Sequence, residues 1–201
     1  MNKRKFWGWG FADQILSKEE EAGVENRIAQ NFGLSEIVAL PIPIAEEITL
    51  NKPRVKIPDS LKHVLSDDHL ERLNHAYGKS FPDVARAMLG QFPHPPDLIA
   101  FPENQEDVVN TLDWANKNNI AVIPYGGGSS VCGGVETDVD DSYSGVISLD
   151  LRNLNQVLEI DKESRAARIQ AGIFGPALEE ELKKSNLTLR HFPQSFEHST
   201  L

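Results

Sequence analysis

Apolar residues in the first part of the chain recur mostly at helical spacing. A capping box, Ser17 followed by Glu20, begins a stripe of apolar residues that Gly33 ends. Acidic residues at Asp67 and Asp68 begin a second helix, because negative charge is favoured at a helix N-terminus. A third helix is predicted from about Pro82 to Leu89. We therefore predict a largely helical N-terminal extension over residues 1–92.

Two stretches of this extension do not follow the helical pattern. Aromatic residues and two glycines crowd into Phe6–Phe11, which predicts an arm that docks its rings on the main body of the protein. Four prolines lie between Pro41 and Pro58, and proline in this density favours an extended connector over a helix.

From residue 93 the pattern changes to short apolar strands alternating with helices. The polar turn at 161–164 predicts an antiparallel pair of strands, and hence a mixed sheet. The pattern predicts an α+β fold in which residues 93–201 form a second domain. Its predicted strands are Asp97–Pro102, Ile120–Ile123, Val146–Asp150, Val157–Ile160 and Arg168–Ala171, and its predicted helices are Gln105–Asn118 and a segment that begins at Gly175.

A glycine-rich loop follows the second of these strands. It reads Pro124-Tyr125-Gly126-Gly127-Gly128-Ser129-Ser130. It matches neither the Rossmann fingerprint, which would need glycine where Val131 stands, nor a Walker A loop, which would need a following lysine. Consecutive backbone amides and two hydroxyl groups suit a pyrophosphate without a cationic side chain. A tight turn between strands is the alternative that these residues leave open.

Composition and charge narrow the function classes. The 201 residues carry a net charge of −10, which argues against nucleic acid as a partner. No apolar run reaches the roughly 20 residues that span a bilayer, so no transmembrane segment is predicted. The basic start lacks the apolar core of a secretory signal. A single cysteine, Cys132, fits a reducing compartment, and we expect a cytoplasmic protein.

Other polar clusters do not predict a catalytic or metal site. His63, His69 and His75 do not stack on one helical face and are interpreted as surface or capping residues, so no metal is expected. The run Glu179–Glu181 is interpreted as a solvated helix face. The last stretch, Arg190–Thr200, lacks the pattern of a hydrolase triad, and no catalytic residue is assigned.

Two stretches in register resemble one family. The loop at 124–130 is similar to the pyrophosphate loop P-x-G-G-G-T-S, and Gln194-Ser195-Phe196-Glu197-His198-Ser199-Thr200 is similar to a second, flavin-contacting loop. The family is the FAD-linked oxidases with the flavin-binding domain of vanillyl-alcohol oxidase and p-cresol methylhydroxylase (the PCMH type). Within it, the strongest resemblance is to the alkyldihydroxyacetonephosphate synthase branch and its bacterial relatives, and it runs from about Tyr77 to Leu201.

The resemblance implies FAD as the cofactor. Residues 124–130 would then hold the FAD pyrophosphate, and residues 194–200 would contact the flavin side. Covalent members of the superfamily place a histidine late in the first loop, where Ser129 and Ser130 stand here, so non-covalent FAD is expected. Cys132 is expected to be a small packed residue and not a flavin attachment point.

The same resemblance leaves the reaction open. One alternative is an exchange, carried by the flavin, of the acyl group of an acylated dihydroxyacetone phosphate for a fatty alcohol. The other is oxidation of a 2-hydroxy acid such as lactate or glycolate. The sequence ends within the second motif, so an N-terminal fragment is expected, with a small-molecule or lipid-precursor substrate bound mainly beyond Leu201. A homodimer of the full-length enzyme and an inactive truncated flavin domain are further possibilities.

Overall fold

The structure of the chain, a computed structural model, describes residues 4–35, 37 and 39–201. The first helix, α1, spans Lys18–Phe32 and begins with the predicted capping box at Ser17. It ends at Gly33, whose φ of 63° is a left-handed conformation that glycine adopts without strain. None of the α1 residues is buried, so its apolar stripe faces solvent in this chain.

The N-terminal arm docks on the protein body, as the sequence predicts. The ring of Phe6 is buried in an apolar cluster with Tyr77 and Phe92, and its centroid lies 6.1 Å from that of Phe92. The proline-rich connector is extended apart from single turns of 3-10 helix at Ala45–Glu47 and Asp59–Leu61.

Two short helices follow the connector. Helix α2 spans His69–Asn74 and is capped by Asp68, while α3 spans Phe81–Met88 and begins with a capping box formed by Ser80 and Asp83. Both helices start close to where the sequence predicts them, because short polar side chains accept hydrogen bonds from the first free backbone amides.

A four-stranded mixed sheet forms the centre of the fold. Its strands are β1 at Leu65–Ser66, β2 at Leu98–Ala100, β3 at Ile120–Tyr125 and β4 at Gly145–Asp150. Their order in the sheet is β1-β2-β4-β3, and β2 and β3 both run parallel to β4. Helix α4, Gln105–Lys117, connects the parallel strands β2 and β3.

The prediction of a mixed sheet is correct, but its stated cause is not. Strand β1, which precedes residue 93, is the antiparallel member. The predicted antiparallel pair, β5 at Val157–Asp161 and β6 at Ala166–Ile169, forms a separate two-stranded sheet. The sequence does not single out β1, because two residues are too short to carry a periodic pattern.

Helix α5, Gly175–Lys183, packs Leu178 and Leu182 over the hairpin, in a small apolar cluster of their own with Ile173. Glu179 does not belong to a solvated face, contrary to the sequence-based interpretation. Its carboxylate is buried and accepts hydrogen bonds from the Thr188 hydroxyl and the Leu189 backbone N–H. The chain turns back after the helix, and this return covers the carboxylate.

Asp97 joins the connector to the central sheet. Its buried carboxylate accepts hydrogen bonds from the backbone N–H groups of Arg54 and Val146, at 2.7 Å each, and from the Arg54 guanidinium. Residues on both sides of the predicted boundary at 92/93 therefore share hydrogen bonds. The boundary itself stays a prediction.

We predict that Asp97→Ala lowers the free energy of unfolding by about 3 kcal/mol, because two backbone N–H groups and the Arg54 guanidinium lose a buried acceptor. Denaturant unfolding of the purified chain measures this change. The matched control is Asp113→Ala, on the exposed side of α4, and its free energy of unfolding should stay within about 0.5 kcal/mol of the parent. Equal effects of the two substitutions would contradict this role of Asp97.

Candidate functional site

The glycine-rich loop lies at the carboxyl end of β3. That strand pairs in parallel with β4 up to Tyr125, which is opposite Asp150. The loop therefore leaves the sheet at the edge where ligands of α/β proteins commonly bind. Gly127 and Gly128 are buried, and Gly128 has a φ of 68°.

The two sequence motifs are in direct contact. The hydroxyl oxygen of Ser129 lies 2.8 Å from that of Ser199, which in turn lies 2.6 Å from the hydroxyl oxygen of Ser195. A Cβ on Gly126 would overlap the Thr200 hydroxyl, and one on Gly127 would overlap the carbonyl oxygen of His198. The absence of side chains at these two glycines is what lets the second loop reach the first.

The second loop is also tied to the start of α5. The backbone N–H of Gly175 donates to the Ser199 carbonyl at 3.2 Å, and that of Leu201 donates to Ile173 at 3.2 Å. Phe196 packs its ring against Gly175, where a Cβ would overlap it. These contacts orient Ser199 and Thr200 toward the glycine loop.

The remaining predicted site residues lie farther from this contact. Pro124 and Glu197 are exposed, and Gln194 is exposed on the wall of a neighbouring cleft. Tyr125 is buried and donates its hydroxyl hydrogen to the Asn74 carbonyl at 2.9 Å. The carbonyl of Ser130 accepts a hydrogen bond from the backbone N–H of Lys79 at 2.6 Å.

Cys132 follows the loop and is exposed, so the expectation of a packed cysteine is wrong. Its sulfur lies 3.6 Å from the Ser130 hydroxyl. The segment after Ser130 turns outward, with Val131 63% exposed, and this places the thiol in solvent.

A buried polar cluster supports β3 and β4 beneath the loop. His75 is completely buried, and its Nε2 lies 2.8 Å from a carboxylate oxygen of Asp150. Its ring centroid lies 4.3 Å from that of Tyr125, and Arg152 donates from Nε to Asp150 at 2.7 Å. His75 is the C-cap residue of α2, in agreement with one of the two interpretations from the sequence, but it is not a surface residue, because α2 packs its C-terminal end onto the sheet.

Burial alone would raise the pKa of the Asp150 carboxyl. Hydrogen bonds from His75 and Arg152, together with their charges, outweigh burial and hold this pKa below its usual value. The carboxylate is thus stabilised in its charged form, and it holds His75 and Arg152 in place.

A cleft of about 720 Å³ opens beside the two loops. Ser129 lies on one wall and Ser195 and His198 on another, while the third wall comes from Lys79 and the start of α3. This volume falls in the range of small-molecule and cofactor sites. The ring of Trp9, from the N-terminal arm, lies 5.6 Å from that of His198 and borders the same cleft.

Two basic residues beside the glycine loop are not identified by the sequence analysis. The Arg4 guanidinium donates to the Gly127 carbonyl and lies 4.7 Å above the ring of Phe174. The Lys79 ammonium donates to the Lys5 carbonyl at 3.3 Å. Both lie far from the loop in sequence, and no motif connects them with it.

Residues 96–201 match the family described as an FAD binding domain, which is more than half of the chain. The chain belongs to this family. FAD is therefore the cofactor of this FAD-binding domain, as the sequence analysis predicts. Among the described residues, no helix combines the length and the apolarity needed to cross a membrane.

Two relatives of this FAD-binding chain have the same name. It is 42% identical to alkyldihydroxyacetonephosphate synthase of Dictyostelium discoideum over 72% of its length, and 38% identical to that of Trypanosoma brucei brucei over 76%. These matches cover 23% and 26% of the two relatives, so the chain spans about a quarter of their length. A more distant relative, glycolate oxidase subunit GlcD of Bacillus subtilis, is 26% identical over 55% of the chain.

A solved structure of alkyldihydroxyacetonephosphate synthase superposes on 98% of the chain with a TM-score of 0.83 and 31% identity. The chain covers 42% of that structure. The fold is thus α+β with a mixed sheet and a PCMH-type FAD-binding domain, as the sequence predicts.

We predict that Asp150 makes the stability of the chain depend on pH. Its folded-state pKa is lowered, so its contribution is fully present above the unfolded-state pKa of about 3.9 and is lost as the pH falls through the lower folded-state value. At pH 7, Asp150→Asn should lower the free energy of unfolding by about 3 kcal/mol.

Urea unfolding of the parent chain and of Asp150→Asn at several pH values measures this contribution. The difference between them should shrink as the pH falls below 4, approximately the unfolded-state value. Asp113→Asn, an exposed control, should follow the parent at every pH. A constant difference down to the acid unfolding of the chain would contradict the assignment.

Proposed function

We propose that this chain is the FAD-binding part of an alkyldihydroxyacetonephosphate synthase-like flavoenzyme. In this proposal, residues 124–130 hold the diphosphate of FAD and residues 194–200 contact its flavin side. The observation that carries the proposal is the hydrogen bond of 2.8 Å between Ser129 and Ser199. It joins the two motifs at the carboxyl end of β3, where one extended ligand can contact both.

The residues present fit the cofactor. Ser129 and Ser195 offer hydroxyl groups to the cleft, and Lys79 offers positive charge to a ligand that carries two phosphates. The flavin supplies the redox-active ring when it is bound, and the protein binds and orients it. No histidine stands at Ser129 or Ser130, which supports non-covalent binding.

The alkyldihydroxyacetonephosphate synthase-like activity belongs to the longer protein of which this chain represents one part. We propose that its substrate is a small molecule or lipid precursor, bound mainly by residues outside the 201 present here. A homodimer of the full-length enzyme and a cytoplasmic location stay predictions. No catalytic acid or base is assigned to the described residues.

A flavin-linked 2-hydroxy-acid dehydrogenase is the second candidate, and the similarity to glycolate oxidase subunit GlcD favours it. The relatives named alkyldihydroxyacetonephosphate synthase are more similar and cover more of the chain, which favours the first candidate. A third possibility is that the chain by itself is an inactive flavin-domain fragment.

Purification of the chain, followed by titration with FAD, tests the cofactor site. We expect a flavin absorption band in the visible that stays with the protein through gel filtration and is released by acid. Release of the flavin by acid distinguishes non-covalent from covalent FAD. A folded chain that neither retains nor binds FAD would refute the proposal that this part of the protein binds its cofactor alone.

The reaction is tested with a longer protein that contains this chain. Exchange of a labelled fatty alcohol into an acylated dihydroxyacetone phosphate is expected for the first candidate. Bleaching of the flavin band by lactate or glycolate would instead support the 2-hydroxy-acid dehydrogenase.

We further predict that Gly127→Val abolishes FAD binding. The new side chain would overlap the His198 carbonyl and separate the two loops, so the sites for the diphosphate and the flavin would lose their alignment. Equilibrium titration measures the affinity for FAD. Gly23→Val, on the exposed helix α1 where a Cβ meets no atom within 4 Å, is the control and should bind FAD normally. Stoichiometric flavin in Gly127→Val would disprove the assignment.

A further inference from the structure

Lys79 is held against the glycine loop by its own backbone. Its N–H donates to the Ser130 carbonyl at 2.6 Å, and the preceding Gly78 approaches that carbonyl so closely that a Cβ would overlap it. The position of the Lys79 side chain is therefore fixed relative to Ser129 and Ser130, although it belongs to the segment between α2 and α3 and not to the loop.

Among the described residues, no carboxylate forms an ion pair with the partly buried Lys79 ammonium. Within the described parts of the chain, its hydrogen-bond partner is the Lys5 carbonyl at 3.3 Å. An ammonium has three N–H donors, so two remain for a ligand. The carboxylate of the nearby Asp83 already accepts hydrogen bonds from the Ser80 backbone N–H and the Arg86 guanidinium.

A second cation lies close by. Arg4 donates to the carbonyl of Gly127 and packs on the Phe174 ring, and it too has no carboxylate partner among the described residues. Burial, followed by repulsion from Arg4, lowers the pKa of Lys79 to about 8. Two partly buried like charges destabilise one another, and a bound anion would remove that cost.

Lys79 faces the cleft that the proposed function assigns to FAD. It shares the cleft with the hydroxyl groups of Ser80, Ser129 and Ser195. The chain as a whole has a net charge of −10, so the cations beside this loop are a local exception to its acidic character. An anion with more than one phosphate fits this combination of donors and charge.

We propose that Lys79, assisted by Arg4 of the N-terminal arm, binds the diphosphate of FAD beside the glycine loop. The inference rests on the proposed function. It adds a ligand from the N-terminal extension, outside both sequence motifs. It also gives the arm a role in cofactor binding, because the Lys5 carbonyl accepts a hydrogen bond from the ammonium and Arg4 adds a second positive charge.

The test compares the full chain with Lys79→Met and Lys79→Arg, using FAD and ADP as probes. Loss of a charge-assisted hydrogen bond should weaken FAD and ADP binding by roughly tenfold to a hundredfold in Lys79→Met. Lys79→Arg keeps the charge and should lose much less. The control is Lys56→Met, which removes an exposed lysine that does not line the cleft and should bind as the parent does.

The pH dependence of binding gives an independent readout. The charged groups that face Lys79 are Arg4, Asp83 and His198. Arg4 stays protonated, and the pKa values of Asp83 and His198 are both lowered, so Lys79 is the group among them that changes charge between pH 7 and 9. FAD binding by the parent should therefore weaken as the pH rises past about 8, and binding by Lys79→Arg should not.

The outcomes separate this inference from the proposed function. A parent chain that binds FAD and ADP, with Lys79→Met binding both equally well, would overturn the role of Lys79 and leave the FAD site intact. A folded parent that binds neither probe would overturn both. If Lys79→Met does not fold, the test of Lys79 is the pH dependence of FAD binding by the parent and by Lys79→Arg. Identical pH profiles of FAD binding for the two proteins would overturn the inference.

Discussion

The close approach of two loops at the carboxyl end of β3 is the contact on which the candidate site depends. Gly126 and Gly127 leave no side chain between the loops, so the backbone at His198 and the hydroxyl of Thr200 reach the glycine-rich loop. A glycine permits a similarly close contact at two further positions. The Ser130 carbonyl packs against Gly78, and the Phe196 ring packs against Gly175. Four bare backbone positions thus bring together segments from the extension, the sheet and α5.

The buried polar cluster of His75, Asp150 and Arg152 supports the end of the sheet from which the glycine-rich loop begins. Asp150 ends β4 opposite Tyr125, and its carboxylate holds His75 and Arg152. Since α2 supplies the histidine and β4 the carboxylate, the N-terminal extension and the sheet are joined by charged hydrogen bonds as well as by apolar packing. The phenol of Tyr125 fills the space under Gly128, where a Cβ would overlap it.

Charge is distributed unevenly in this acidic chain. Its carboxylates are largely exposed or paired, while Arg4 and Lys79 lie beside the glycine loop with carbonyl oxygens as partners. The loop alone offers amides and hydroxyl groups, which suit a phosphate but do not neutralise it. Both cations, Arg4 and Lys79, belong to the N-terminal extension. The positive charge beside the candidate site therefore comes from the extension, while the glycine-rich loop contributes backbone amides and hydroxyl groups.

Sequence alone determined the elements whose signals are local. Capping residues such as Ser17, Asp68 and Ser80 located the helices, apolar runs located β3 and β4, and the two motifs identified the family and its cofactor. Only the tertiary structure decided which strand makes the sheet mixed, that His75 and Glu179 are buried, that Cys132 is exposed, and that Lys79 stands beside the loop. The physical reason is the distance along the sequence over which each signal acts. A helix cap or an apolar run acts within one helical turn or one strand. Burial and charge pairing depend on residues that only folding brings together, such as the 75 positions that separate His75 from Asp150.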